Sequence, residues 1–224
     1  MKNLLITIKN GMYIPFLHGI LYFTTNDFHL STFISLKLYS TNYFYWFGEH
    51  YTYLPKSYNF IKQFVRFTDS GHIVSFIYYV YPNALPLAHN IHFTITGGYW
   101  IGKLALNLKD ADVLQNEEII PWFNQYITYC LHGVPYTMML HDVIICKRQD
   151  LFNGTDLFYS YAWLYCWVLF VYIPWCYFTK DRVYSIMENH TSFYEKISGV
   201  IMIHALIYIG NQSGIYISKV FILK

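Results

Sequence analysis

Six long runs of apolar residues divide the chain, and shorter polar and charged stretches separate them. The runs cover approximately residues 4–24, 32–53, 84–106, 123–146, 157–179 and 197–222. An α-helix needs about 20 largely apolar residues to cross the hydrocarbon core of a bilayer. We therefore expect an all-α fold, a polytopic transmembrane helix bundle of about six spans, forming a single integral membrane domain over residues 1–224.

A seventh and shorter apolar run, over residues 73–81, precedes the third expected span. Pro82, Pro86 and Asn90 separate it from that span. The run either lies at the membrane interface or lengthens the third span.

Composition supports the membrane interpretation. Hydrophobic residues make up 55% of the 224 residues and charged residues only 12%, against roughly 25% charged residues in soluble domains. The net charge of +2 is spread along the chain, so the sequence offers no basic patch for nucleic acid.

Charges between the runs predict the orientation of the spans, because cytoplasmic loops near span ends are enriched in Lys and Arg. The loop after the second run carries Lys56, Lys62 and Arg66, and the loop after the fourth carries Lys147 and Arg148. The loop after the third run is acidic instead. This alternation places both termini on the cytoplasmic side.

His132, followed directly by Gly133, lies within the fourth run. An ionisable side chain at membrane depth is costly and marks a candidate site, and imidazole can act as a base near neutral pH. A histidine there can also simply hydrogen-bond across a helix bundle. The residues alone leave these two roles evenly balanced, and Gly133 leaves room for either an acyl chain or a neighbouring helix.

Thr32 stands near the start of the second run, soon after the polar stretch that contains Asp27 and His29. Its position favours a helix N-cap. A threonine hydroxyl is a weak nucleophile that needs an adjacent base. Thr32 is therefore a catalytic candidate chiefly as a partner of His132.

Five further polar residues within the apolar runs are candidates to line a cavity: His89, Asn90, His92, His204 and Asn211. Their spacing matches no zinc-binding pattern. Asp142, near the cytoplasmic end of the fourth run, is predicted to be a surface group, either solvated or interacting with the helix dipole.

Three short segments then connect the chain to a known family: Thr32-Phe33-Ile34-Ser35-Leu36, His132-Gly133 followed by Thr137, and Cys166-Trp167-Val168 followed by Trp175. In order and spacing they resemble the androgen-induced membrane hydrolases, multi-pass proteins that cleave fatty acid esters of hydroxy fatty acids. This family includes the androgen-dependent regulators of tissue factor pathway inhibitor. The chain departs from the family pattern at Ser35, where Asp or Asn is usual, at Pro135-Tyr136, and at Leu169-Phe170.

The resemblance implies a lipid esterase with Thr32 as nucleophile and His132 as base, acting without a metal or cofactor. It implies a lipid substrate, the bilayer as surroundings, and residence in the endoplasmic reticulum or plasma membrane. The departures motivate an alternative, a non-catalytic multi-pass membrane protein that binds lipid or regulates a partner. The sequence sets neither the physiological ester nor the oligomeric state.

Overall fold

The computed structural model describes residues 16–27, 29–35, 37–38, 61–62, 64–105, 121–144, 152–184, 187 and 191–222, without the side chains of 121–127 and 221–222. Throughout these ranges the chain forms helices and turns and contains no β-strand, which confirms the all-α fold class.

Six helices have described boundaries: α1 Phe67–Val80, α2 Leu85–Leu104, α3 Pro121–Ile144, α4 Asp156–Trp167, α5 Ile173–Thr179 and α6 Phe193–Ile222. Residues 16–25, 29–35 and 37–38 are helical as well. A π-helical turn, Val168–Tyr172, joins α4 to α5. Pro174 is the second residue after this turn, and the missing N–H of proline is a common cause of such a local change in helix winding.

Two continuous helical segments are long and apolar enough to span a membrane, Asp156–Thr179 and Phe193–Val220. In the most apolar 18-residue stretch of each segment, only 11% of the first and 28% of the second is buried inside the protein. Their apolar side chains therefore largely face outward, unlike those of a core helix in a soluble protein. The structure thus supports two of the six expected spans in the part of the chain that it describes.

Several expectations fall outside the described residues. These are most of the first two expected spans (4–15, 36 and 39–53), the acidic loop around Asp110, and the basic residues Lys56, Lys147 and Arg148.

The chain divides into two compact units. The first comprises residues 1–63 and 108–134, and the second comprises residues 64–107 and 135–224. The division within α3 falls at Pro135, which lacks the N–H that would bond to the carbonyl of Leu131 and so interrupts the helix ladder.

In the second unit, α1 and α2 form an antiparallel hairpin. Tyr81 and a 3₁₀ turn over Pro82–Ala84 reverse the chain. Ser75 of α1 then lies 2.5 Å from His92 of α2, measured from Oγ to Nε2. The apolar run 73–81 therefore does not lengthen the third span, because it belongs to a separate helix folded back on α2.

Helix α6 packs closely along α2 because glycines remove side-chain bulk between them. A Cβ on Gly97 would lie 2.9 Å from the Leu206 side chain, and one on Gly210 would lie 3.0 Å from the Phe93 ring. Close backbone approach at small residues is the usual means of packing helices in membranes.

Polar side chains tie neighbouring helices of the second unit together. The Asn90 amide donates to Ser160 at 3.0 Å and to Asn211 at 3.1 Å, which joins α2 to α4 and α6. The Tyr78 hydroxyl donates to the Asp142 carboxylate at 2.6 Å. Asp142 is buried, so the prediction of a surface group was wrong, and the phenol hydrogen bond offsets part of the cost of burying the carboxylate.

Candidate functional site

The start of the helical residues 29–35 is capped by Asp27. Its Oδ1 accepts a hydrogen bond from the backbone N–H of Leu30 at 2.9 Å, which satisfies one of the donors left unpaired at a helix start. Thr32 lies further into the segment. The capping role that its sequence position favours therefore belongs to Asp27.

The Thr32 hydroxyl is instead hydrogen-bonded to an imidazole. Its Oγ1 lies 2.8 Å from Nε2 of His18, which is carried by the helical residues 16–25. Both side chains are half-buried. The structure thus gives Thr32 a histidine partner, the feature that an active hydroxyl needs.

His18 was missed by the sequence reasoning. The signal was present, because His18 lies in the first apolar run just as His132 lies in the fourth, and an ionisable group at membrane depth marks a candidate site in both cases. What the sequence lacked was the tertiary contact between residues fourteen positions apart.

His132 donates from Nδ1 to the carbonyl oxygen of Thr128, one turn earlier on α3, at 2.7 Å. Because a carbonyl can only accept, Nδ1 carries the proton, and in the neutral ring the lone pair lies on Nε2. In this tautomer Nε2 can accept a proton, as a general base must. A Cβ on Gly133 would meet no described atom within 4 Å.

Thr32, His18 and His132 all belong to the first compact unit. The hydrogen bonds described above join Thr32 to His18 and His132 to Thr128. The first unit thus contains a hydroxyl with an imidazole in contact with it and, on α3, a second imidazole with its lone pair on Nε2.

Ser35, the residue at the family's Asp or Asn position, is buried and donates to the carbonyl of Ser31 at 2.6 Å. Its hydroxyl carries no charge and so cannot stabilise an imidazolium as a carboxylate does. The orienting group of the candidate site must come from elsewhere.

The five polar residues proposed to line a cavity separate into three groups. His89, Asn90 and Asn211 meet at one junction of α2 and α6, where Asn90 is also bonded to His89 at 3.2 Å. His92 pairs with Ser75. His204 pairs with Tyr165 at 2.8 Å. Hydrogen bonds between packed helices account for Asn90, Asn211, His92 and His204, whereas His89 is bonded to its neighbour on α2.

The tryptophans of the third family segment have structural contacts. Trp167 Nε1 donates to the carbonyl of Val65 at 3.1 Å, and its ring meets that of Phe67 edge-on at 5.1 Å between centroids. Trp175 Nε1 lies 3.4 Å from an oxygen of Asp181. These residues fix the positions of helices in the second unit.

The chain matches no protein-family model, no curated protein and no solved structure. The resemblance to the androgen-induced hydrolases therefore rests on the three short segments.

Proposed function

We propose that the protein is a membrane-embedded lipid esterase that hydrolyses fatty acid esters of hydroxy fatty acids, with Thr32 as nucleophile and His132 as base. The observation that carries the proposal is the 2.8 Å hydrogen bond between the Thr32 hydroxyl and the His18 imidazole. A hydroxyl becomes a useful nucleophile when an imidazole polarises it. The substrate class and the role of His132 follow from the resemblance.

In the first step Thr32 Oγ1 forms a bond to the ester carbonyl carbon, and its proton passes to Nε2 of His132. The tetrahedral intermediate then collapses, and the hydroxy fatty acid leaves as the alcohol, taking that proton. Water deprotonated by the same imidazole hydrolyses the acyl-threonine, releases the fatty acid and restores the hydroxyl.

His18 is a positioning residue in this scheme. With a proton on Nε2 it donates to Thr32 Oγ1, so the hydroxyl proton is not engaged by His18 and can pass to the base. In the opposite tautomer His18 accepts the hydroxyl proton and is itself the base.

The exposed apolar helices support a substrate drawn from the bilayer. Segments Asp156–Thr179 and Phe193–Val220 present most of their side chains outward, and apolar surface in water costs roughly 25 cal/mol per Å². Surrounding lipid removes this cost and supplies long-chain esters directly.

A fluorophosphonate probe on the purified full chain tests the proposal. We expect Thr32→Ala to abolish labelling and His132→Ala to slow it about a hundredfold or more, the usual contribution of a general base. His18→Ala should slow it less and shift its pH profile. If His18→Ala has the larger effect, the base is His18.

Two matched variants control for general damage. Thr24→Ala removes an exposed threonine whose hydroxyl donates to carbonyls of its own helix, and His141→Ala removes a half-exposed histidine of α3. Both should label normally. Labelling that persists in Thr32→Ala contradicts the proposed nucleophile, and absence of labelling in the unaltered protein favours the non-catalytic alternative.

A further inference from the structure

Helix α6 carries exposed side chains along one face. Ile201, Ala205, Tyr208 and Gln212 are all exposed, and steps of three and four residues place side chains on the same side of an α-helix. Ile201 and Tyr208 expose 62% and 52% of their surface. These four residues form the α6 strip, and the rest of the described chain leaves it uncovered.

The α6 strip lies within the part of the helix that fits a bilayer. Residues 197–218 contain no charged side chain between Lys196 and Lys219. This stretch is about 33 Å long, close to the roughly 30 Å of a hydrocarbon core. Gln212 precedes Ser218 by six residues, so it lies about 9 Å inside the nearer end. Glutamine lacks the long stem with which lysine or arginine extends its polar group to the interface.

The Gln212 carboxamide makes no hydrogen bond to any residue that the structure describes, and neither does the Tyr208 hydroxyl one turn earlier. Other polar side chains of the stretch are bonded within the protein: Asn211 to Asn90, His204 to the Val200 carbonyl, and Ser198, Ser213 and Ser218 to carbonyls of their own helix. A carboxamide with unused donors and an unused acceptor is costly in hydrocarbon. Because acyl chains offer no hydrogen-bonding groups, Gln212 requires a polar partner from another molecule.

A second copy of the chain supplies such a partner by symmetry. All copies insert with the same orientation, because the same loop charges direct each of them. Two such copies are related by a two-fold axis along the membrane normal, so a given residue lies at the same depth in both. When the two α6 strips face each other, the two Gln212 side chains are opposite one another. A carboxamide both donates and accepts, so each can donate to the other.

The spacing of residues along this face also suits a pair of helices. Ser198, Ala205, Gln212 and Lys219 follow at intervals of seven residues, and all four are exposed. A seven-residue repeat keeps two helices in contact along their length. The small side chains of Ser198 and Ala205 allow close backbone approach, as is usual for helix pairs in membranes. Lys219 lies at the membrane edge, where its long stem lets the charge turn outward into water.

We infer that the α6 strip is the interface of a parallel homodimer, with the two Gln212 carboxamides hydrogen-bonded across the two-fold axis. Ile201 and Tyr208 provide the apolar contact area on either side of Ala205. The interface shares no residue with the candidate esterase site. The inference therefore requires that α6 spans the bilayer, but it does not depend on Thr32 chemistry.

Energy transfer between donor-labelled and acceptor-labelled full-length chains in phosphatidylcholine vesicles tests this inference. We expect transfer above the level of random mixing at the same protein-to-lipid ratio. Gln212→Leu replaces the carboxamide by an apolar group of similar volume and should raise the dissociation constant of the dimer about tenfold, the effect of a hydrogen-bonded pair between helices in a bilayer. Gln212→Asn keeps a carboxamide and should dimerise more tightly than Gln212→Leu.

Two controls accompany this measurement. Tyr177→Phe removes a polar group from an exposed residue of the other candidate span and should leave the dissociation constant unchanged. Ala205→Cys should form a disulfide between two copies under mild oxidation, above the level of the unaltered chain. Ile203→Cys should not, because Ile203 packs against the cluster that contains Leu164 and Trp167.

Transfer at the level of random mixing in the unaltered chain would overturn the inference, because lipid alone would then cover the α6 strip. Transfer that Gln212→Leu leaves unchanged would do the same, since the dimer would form through another surface. Disulfide formation that is no stronger at Ala205→Cys than at Ile203→Cys would also contradict the proposed interface.

Discussion

Tyr184 shows how a single side chain can complete a helix that is distant in the sequence. Its hydroxyl accepts a hydrogen bond from the backbone N–H of Phe67, the first residue of α1, at 2.6 Å. Arg66, the N-cap residue of α1, makes no capping hydrogen bond with its side chain. Next to Tyr184, Val183 has a φ of 62°, a region that costs free energy for a β-branched residue. The Tyr184 contact helps to hold this strained loop in place.

Tyr184→Phe should lower the free energy of unfolding by about 1 to 2 kcal/mol at pH 8, because the Phe67 N–H loses its acceptor. Burial raises the pKa of Tyr184 to about 12, above the value near 10 of an unfolded tyrosine. The contribution of Tyr184 to the free energy of unfolding is therefore complete below pH 10 and is lost as the pH rises toward 12.

Denaturant unfolding of the purified protein between pH 8 and pH 12 measures both effects. The difference in the free energy of unfolding between the unaltered protein and Tyr184→Phe should shrink above pH 10. Tyr177→Phe, at a tyrosine that is 68% exposed, should leave stability unchanged. A difference that stays constant up to pH 12 would rule out the raised pKa.

At the scale of secondary-structure elements, the packing of α6 depends on its glycines as well as on its apolar residues. Gly210 and Gly214 lie one turn apart on α6. The Phe93 ring packs against the position where a side chain on Gly210 would lie, and the Phe152 ring against that of Gly214. These contacts set how closely α6 approaches its neighbours in the second unit.

Gly214→Ala should destabilise the protein by about 1 to 3 kcal/mol, the usual cost of overpacking. The new Cβ would overlap Cε1 of Phe152, so the ring must move. Thermal unfolding in detergent measures the change. Gly154→Ala is the matched control, because a Cβ there meets no described atom within 4 Å, and a loss of stability no larger than in that control would contradict the described packing.

At the scale of the whole molecule, the bilayer decides whether the exposed apolar helices are stable. Ile209 is 50% exposed on α6. In a soluble protein, replacing such a residue by a charged one changes stability by less than about 0.5 kcal/mol. In a transmembrane helix the same replacement near the centre costs roughly 2.5 to 3.5 kcal/mol of insertion free energy.

Ile209→Arg should therefore sharply reduce the fraction of chain that integrates into microsomes and resists carbonate extraction. Tyr194→Arg, near the start of α6, should have a smaller effect because an arginine there can extend its charge to the interface. Normal integration of Ile209→Arg would show that α6 does not span the membrane.

The sequence by itself determined the helical class and the approximate bounds of several helices. The apolar run 84–106 corresponds to α2, Leu85–Leu104, and the run 157–179 to Asp156–Thr179. These features follow from the local run of apolar residues and from nearby prolines. Thr32 and His132 could be selected as candidates from the sequence, since a polar group in an apolar run is visible without any tertiary contact, and their catalytic roles stay predictions.

Only the tertiary structure decided which polar groups meet. The contact of Thr32 with His18, the burial of Asp142 against Tyr78, and the Tyr184 cap on α1 each join residues far apart in the chain. The run 73–81 belongs here too, since its apolar pattern allowed either an interfacial segment or a longer third span, and the structure places it in a separate helix. Hydrogen bonds depend on distances of about 3 Å, and a linear pattern contains no information on which distant groups come that close.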